Sequence, residues 1–278
     1  MKLANLKGRL VALRDEVAVD VAAASGGAYS PDPQSVYDDW AGFLRWAADG
    51  LGAADGVPYT QEELGAPVPA PRQVFAIGLN YHDHAAESNI EIPRSPLVFT
   101  KFVSSLTGPT GTVTLPPGSV DWEAEIVAVV GRTGNAVSRD DAWDHLAGLM
   151  LGQDISEREL QSAGTPPQFS LGKSFAGFAP IGPFLATLDE FGRPEDIGFG
   201  CTLNGEKMQD GRTSGMVFDI PDLVAALSAV VTLLPGDLIF TGTSSGVGVS
   251  RTPQRFLAPG DELLTWADGL GQMRHVFA

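Results

Sequence analysis

The amino-acid sequence predicts an α+β, β-rich fold, in which a small N-terminal domain precedes a larger domain of short strands. Three observations predict it. The chain holds 33 glycines and 20 prolines in 278 residues, the punctuation that many tight turns require. Its core-like runs are short and β-branched, as in IVAVV at 126–130, which suits buried strands. Helical and strand patterns do not alternate regularly, which argues against a doubly wound parallel sheet. Hydrophobic residues make up 44% and charged residues 19%, so a sizeable core can form and global disorder is not expected.

Taken in order, residues 1–68 read as a small N-terminal α+β domain. The stretch GRLVALRDEVAVDVA alternates and is β-branched enough for a hairpin. In PDPQSVYDDWAGFLRWAADG, Val36, Trp40, Phe43 and Leu44 recur at helical spacing, and Gly50 can end the helix. The Pro-rich GAPVPAPRQ reads as a linker, and the domain over 69–278 has its first strand at Val74. Two helices are expected among its strands. One follows Ser138, has Asp140 and Asp141 in its first turn and runs through AWDHLAGLM. The other has Pro221 in its first turn and runs through DLVAALSAVV. Asn204-Gly205 has the composition of a tight hairpin turn.

Composition also excludes function classes. A formal net charge of −16 argues against a nucleic-acid partner, because binding a polyphosphate needs a basic surface. No apolar run approaches the roughly 20 residues that span a bilayer. Charges come too early at the N-terminus for a signal peptide, so a soluble cytoplasmic protein without a membrane partner is expected. Cys201 is the single cysteine, which rules out an intrachain disulfide. It reads as a small buried apolar residue, since no sequence neighbour supplies a base to activate it. GVGVS lacks the third glycine and helix of a dinucleotide fingerprint, and neither a P-loop nor a G-x-S-x-G elbow is present.

The acidic residues are more informative. Read as one strand, SVDWEAEIVAVVG points Asp121, Glu123 and Glu125 to one side. Carboxylates crowded at the mouth of a buried strand repel one another, unless their pKa values rise or a positive charge holds them ionised. A hard divalent cation would do so, and Asp154, after a second apolar run, is a third oxygen ligand. No His or Cys cluster favours zinc. The alternative is a pair of glutamates on the solvated face of an edge strand. In HAAE, His84 and Glu87 stand three apart and share a helical face, so the carboxylate could orient the imidazole as a base. The alternative there is a surface histidine beside a surface acid.

At these residues the chain resembles the fumarylacetoacetate hydrolase family. GLNYHDHAAE is similar to that family's G-x-N-Y-x-x-H-x-x-E segment, and the similarity continues through PLVFTK, DWEAEIVAVVG, GQDISERELQ, GKSFAGFAPIGP, LNGEKMQ, LLPGDLIFTGT and GVGVS, in that order. The resemblance implies a mixed β-roll for the larger domain and a homodimer. It implies a divalent metal, Mg²⁺ with Mn²⁺ or Ca²⁺ as alternatives, on Glu123, Glu125 and Asp154. It further implies His84 as general base with Glu87 paired to it, and Lys173 as the active-site lysine. Arg158, Gln161 and Thr243 match substrate-side positions, and the segment around 82–96 matches a lid. Lys101 also matches a family position, where its plainer role is pairing with a nearby acid. Three departures stand out: FAIGLN lacks an additional acid, Ala176 replaces an aspartate after KSF, and Ser244 replaces a proline after TGT.

The function this implies is hydrolysis of a C–C bond in a 2,4-dioxo acid such as an acylpyruvate, through a metal-bound enolate, as in aromatic catabolism. The partner is then a small 2-oxo acid. Oxaloacetate decarboxylation and 2-hydroxymuconate-type isomerisation are alternatives on the same site. A binding protein with a structural Ca²⁺ site is the non-enzyme alternative, and it would have no use for the His84–Glu87 pair or for Lys173.

Overall fold

The computed structural model describes residues 1–52 and 54–278. The β-rich α+β architecture expected from the sequence is present, among the described residues, as a large sheet, a five-stranded sheet, a two-stranded ladder and a few short helices. The large sheet has 12 strands. At its centre Ala124–Val130 and Leu146–Gln153 pair antiparallel, with Ile126 opposite Leu151 and Ala128 opposite Leu149. Every residue of both strands is buried. Strand alternation then sends their side chains into two separate cores. Ile126, Ala128 and Val130 join a cluster with Trp122, Phe178, Phe199 and Leu223. Val127, Val129 and Met150 join another with Trp40, Phe43 and Phe240.

The second core is covered by the N-terminal residues. The expected hairpin forms from Arg9–Arg14 and Val17–Asp20. A further strand, Lys2–Leu6, pairs with Ala179–Ala186, so the N-terminal strands continue the large sheet. The expected helix runs over Trp40–Gly50, where the Asp39 side chain caps its start. Trp40 and Phe43 face the sheet, while Leu44 lies at the exposed edge of the apolar stripe. On the other side of the large sheet lies a five-stranded sheet that includes Gly198–Leu203, Glu206–Arg212, Glu262–Ala267 and Gly271–Phe277. Its Asn204-Gly205 turn has φ of 53° and 81°, the left-handed pair a tight hairpin requires. Helix Ile220–Ser228 has Pro221 in its first turn, as expected, and Asp219 as its cap.

Two expectations need correction. The helix expected through AWDHLAGLM is a single 3-10 turn at Trp143–His145, followed directly by strand Leu146–Gln153. That run is apolar on every side and lies between two strands, so it has no polar face to offer solvent as a helix would. SVDWEAEIVAVVG is also not one strand. Val120–Asp121 pairs with Ser156–Glu157 in a separate two-stranded ladder, and the large sheet is joined only at Ala124. Between them Trp122 is fully buried, and its indole N–H donates to Gly246 O at 3.2 Å. Among the described residues no helix is long and apolar enough to cross a membrane.

His275, on Gly271–Phe277, is 1% exposed. Its Nε2–H donates to Gly108 O at 3.0 Å, while Nδ1 is buried without a partner. Burial pushes this imidazole down to about 4. The folded chain therefore keeps it neutral, whereas the unfolded chain takes up a proton below about 6.5. Its stabilising contribution is complete above that pH and is lost as the pH falls toward 4. Between pH 7 and pH 5 it should cost about 2 kcal/mol. Urea unfolding of wild type and His275→Gln at both values should show a smaller loss in the variant.

Candidate active site

Antiparallel pairing builds the acidic cluster. Ala124 lies opposite Gln153, so the residue before one strand and the residue after the other emerge side by side. Asp154 N donates to Glu123 O at 2.9 Å across this gap. Glu123, Glu125 and Asp154 bring ligand oxygens within 4.8 Å of one another, and all three are buried. Asp121, expected on the same side, instead accepts from Arg158 Nε at 2.5 Å and takes no part in the triad.

Three cations surround the acids. Lys173 follows the short helix Phe169–Gly172. A side chain at Gly172 would lie 2.6 Å from Gln161 N and 2.8 Å from Glu157 O, so only glycine allows this close approach. Lys173 Nζ is thereby held 2.8 Å from Glu123 Oε2 and 2.6 Å from Asp154 Oδ2. Lys101 Nζ donates to Asp154 Oδ1 and to Lys173 O, the pairing role expected of it. Arg158 opens the helix Arg158–Gln161 and contacts Glu123 Oε1 at 2.8 Å and Gln161 Oε1 at 2.8 Å through Nη1. Its Nη2 is buried without a partner.

Burial alone would push these acids upward. At Glu123 the charges of Lys173 and Arg158 outweigh it and hold the carboxyl at about 2. At Glu125 burial is reinforced by Asp154 and Glu123, and the carboxyl rises well above the usual range. Burial lowers Lys101 more than Asp154 raises it. For Lys173 burial is more than offset by Asp154 and Glu123, and its pKa is raised. Among the described residues no cationic side chain forms an ion pair with Glu125. With all four acids ionised, Asp121, Glu123, Glu125 and Asp154 would face Lys101, Arg158 and Lys173 with one negative charge in excess. An all-oxygen donor set short of positive charge fits a hard divalent cation, and Glu123, Glu125 and Asp154 are the residues that could hold it.

The His84–Glu87 pair forms as expected on helix His82–Glu87, with Nδ1 2.8 Å from Glu87 Oε1. Glu87 Oε2 also accepts from Gly246 N at 2.9 Å, and Asp83 accepts from Ser245 Oγ at 2.7 Å. Both carboxylates therefore pin this helix to the 245–246 loop. With Glu87 as acceptor, neutral His84 carries its proton on Nδ1 and leaves the Nε2 lone pair free.

A cleft of ≈ 260 Å³ joins these groups. His84, Glu123, Arg158, Gln161, Lys173 and Thr243 line its polar side, and Ile77, Leu79, Ile90, Phe99, Phe169 and Val249 line its apolar side. Glu125, Asp154 and Glu87 do not line it, and Glu87 bonds His84, which does. Cys201 is outside the cleft; burial pushes its thiol far up, as its plain reading as a buried apolar residue requires. Neither Ala176 nor Ser244 lines the cleft. Sequence reasoning missed the partner of Arg158, the apolar wall, and two buried glutamines, Gln153 and Gln209. The glutamines had one visible signal: amides within otherwise apolar strands.

The sequence profile of the fumarylacetoacetate (FAA) hydrolase C-terminal family matches residues 73–278. Human mitochondrial oxaloacetate tautomerase FAHD2A is 43% identical over 217 residues, which cover 77% of this chain and 69% of that protein. Among solved structures, a Mycobacterium smegmatis protein described as a candidate HpcE protein superposes with a TM-score of 0.95 at 52% identity, covering 100% of this chain and 99% of that one. Maleylpyruvate hydrolase from Sphingobium sp. SYK-6, in complex with manganese (II) ion and pyruvate, gives a TM-score of 0.83 at 29% identity, covering 100% and 99%.

Calorimetric titration with MnCl₂ should show one divalent cation bound per chain. Loss of a ligand oxygen in Glu125→Gln or Asp154→Asn should weaken it by more than about 100-fold, beyond the effect of changing an outer-shell partner. Unchanged affinity in both variants would place the cation elsewhere.

Proposed function

The chain belongs to the fumarylacetoacetate hydrolase family, and from that premise we propose that it is a divalent-metal-dependent hydrolase that cleaves a C–C bond of a 2,4-dioxo acid. The observation that carries this reading is the convergence of the His84–Glu87 pair, Lys173 and Arg158 on one cleft at the acidic triad. A structural cation site would need neither a base nor a cleft-facing lysine. When bound on Glu123, Glu125 and Asp154, the cation, proposed as Mg²⁺ or Mn²⁺, supplies Lewis-acid polarisation of the 2-oxo group.

The chain's own groups perform the remaining work. With a divalent cation the buried cluster passes from one negative charge in excess to one positive, which suits a substrate carboxylate. The unpartnered Arg158 Nη2 offers that carboxylate a donor. His84 Nε2 takes a proton from water, and the water oxygen bonds to C4. Lys173 Nζ and the Gln161 amide, whose oxygen already accepts from Arg158, donate to the oxyanion that forms. The C3–C4 bond then breaks. C4 leaves as a carboxylic acid, and the C3 electron pair is delocalised onto the 2-oxo group until a proton returns it to pyruvate. The apolar wall at Phe99, Phe169 and Ile90 faces the acyl side of such a substrate and limits access of other water.

A second reading uses the same groups without water attack. Proton transfer at C3 of oxaloacetate, or along a 2-hydroxymuconate-type diene acid, needs only a base and stabilisation of the enol oxygen. The 43% identity to an oxaloacetate tautomerase supports this chemistry. We also propose a homodimer. Val98, on the edge strand Leu97–Thr100, and Phe102, Val103 and Leu171 close to it are 46%, 49%, 41% and 61% exposed. An apolar sheet edge of this kind is an association surface.

A pyruvate-coupled assay with acetylpyruvate, fumarylpyruvate, oxaloacetate and a diketo sugar acid tests the activity. Chelator-sensitive cleavage of an acylpyruvate is expected, with a loss of about 10²–10⁴-fold in His84→Ala. Turnover of oxaloacetate alone, read as pyruvate release or as a change in its enol absorbance, would reject water attack as the main chemistry. Light scattering after gel filtration should give the mass of a dimer for wild type and a monomer for Phe102→Glu, while a monomeric wild type would reject the dimer.

A further inference from the structure

The two glutamates flank Ala124, and the backbone of this stretch is held by side chains. The ladder to Leu238–Thr243 shifts register between Glu125 and Val127. Ala124 N donates to Gln209 Oε1 at 2.8 Å, and Ala124 O accepts from Thr243 Oγ1 at 2.7 Å. Gln209 Nε2 donates to Thr243 Oγ1 at 2.7 Å and to Ser244 O at 2.9 Å, which closes a ring around Ala124. One residue earlier, Glu123 N donates to Gln153 Oε1 at 3.0 Å, and Gln153 Nε2 is tied to Thr265 Oγ1 at 3.0 Å. Gln153, Gln209 and Thr243 are 0%, 1% and 3% exposed. Polar groups buried so deeply, with both amide ends of each glutamine bonded, form a rigid network.

We propose that Gln209 and Thr243 are positioning residues that clamp the Ala124 peptide from both sides and so fix the spacing of Glu123 and Glu125 for a divalent cation, with Gln153 bracing Glu123. This rests on the reading of the acidic triad as a cation site. It differs from the substrate-side role that family resemblance implies for Thr243. A hydroxyl has one proton, and Thr243 gives its proton to Ala124 O. It has none left to donate to an acidic substrate, even though Thr243 borders the cleft.

The test is calorimetric titration of the full chain with MnCl₂, followed by pyruvate at saturating Mn²⁺, on wild type, Thr243→Val, Thr243→Ser and Gln209→Met. Thr243→Val and Gln209→Met should bind Mn²⁺ about 10–100-fold more weakly, the usual effect of losing an outer-shell partner. Thr243→Ser should restore the wild-type affinity, and pyruvate affinity at saturating Mn²⁺ should change little in any variant. Valine matches threonine in shape, so the Thr243→Val and Thr243→Ser pair decides the matter if Gln209→Met does not fold, as judged by circular dichroism. Wild-type Mn²⁺ affinity in Thr243→Val with weakened pyruvate binding would overturn the clamp in favour of a substrate contact. Unchanged binding of both would overturn it outright. A wild-type chain that binds no Mn²⁺ would instead reject the cation reading beneath it.

Discussion

Carboxylates crowded together at the floor of a cleft are the constraint on which the site depends. Two antiparallel strands end side by side, and that geometry forces Glu123, Glu125 and Asp154 together at buried positions, where water screens them weakly. Lys101 and Lys173 are themselves buried against these acids, and Arg158 is half-buried beside them. Their arrangement is a compromise between desolvation, which disfavours every charge, and attraction between opposite charges. Glu125 is the residue this compromise leaves without a cationic partner. The cluster is therefore a poor stabiliser and a well-formed receptor for positive charge.

Much of this was legible in the sequence because periodicity and residue type share a cause. The apolar IVAVV run had to be a buried strand, Pro221 had to lie in a first helical turn, and Asn204-Gly205 had to turn a hairpin. His84 and Glu87, three residues apart, met as helical geometry dictates. The acidic triad was visible because carboxylates placed beside apolar strand ends demand compensation. Arg158 and Lys173 were placed by ordered resemblance, since nothing local shows where their long side chains reach.

What was not legible depends on neighbours distant in the chain. LAGLMLGQ carries no period that separates a buried helix from a buried strand, and only its place between two other strands decides. The break at Trp122–Glu123 follows from a change of sheet, which no local pattern reports. Gln153 and Gln209 reach Glu123 and Ala124 across sequence separations of 30 and 85 residues. Their functional interest exists only in three dimensions.

Strand Ala124–Val130 holds the glutamates at one end and feeds alternate side chains into both cores. Val127 and Val129 are covered partly by Trp40 and Phe43 of the N-terminal residues. The first part of the chain is thus a foundation for the site although none of its described side chains lines the cleft. Any evolutionary exchange or loss of that segment would have to supply equivalent apolar cover, or the strand beneath the glutamates would be laid open to solvent.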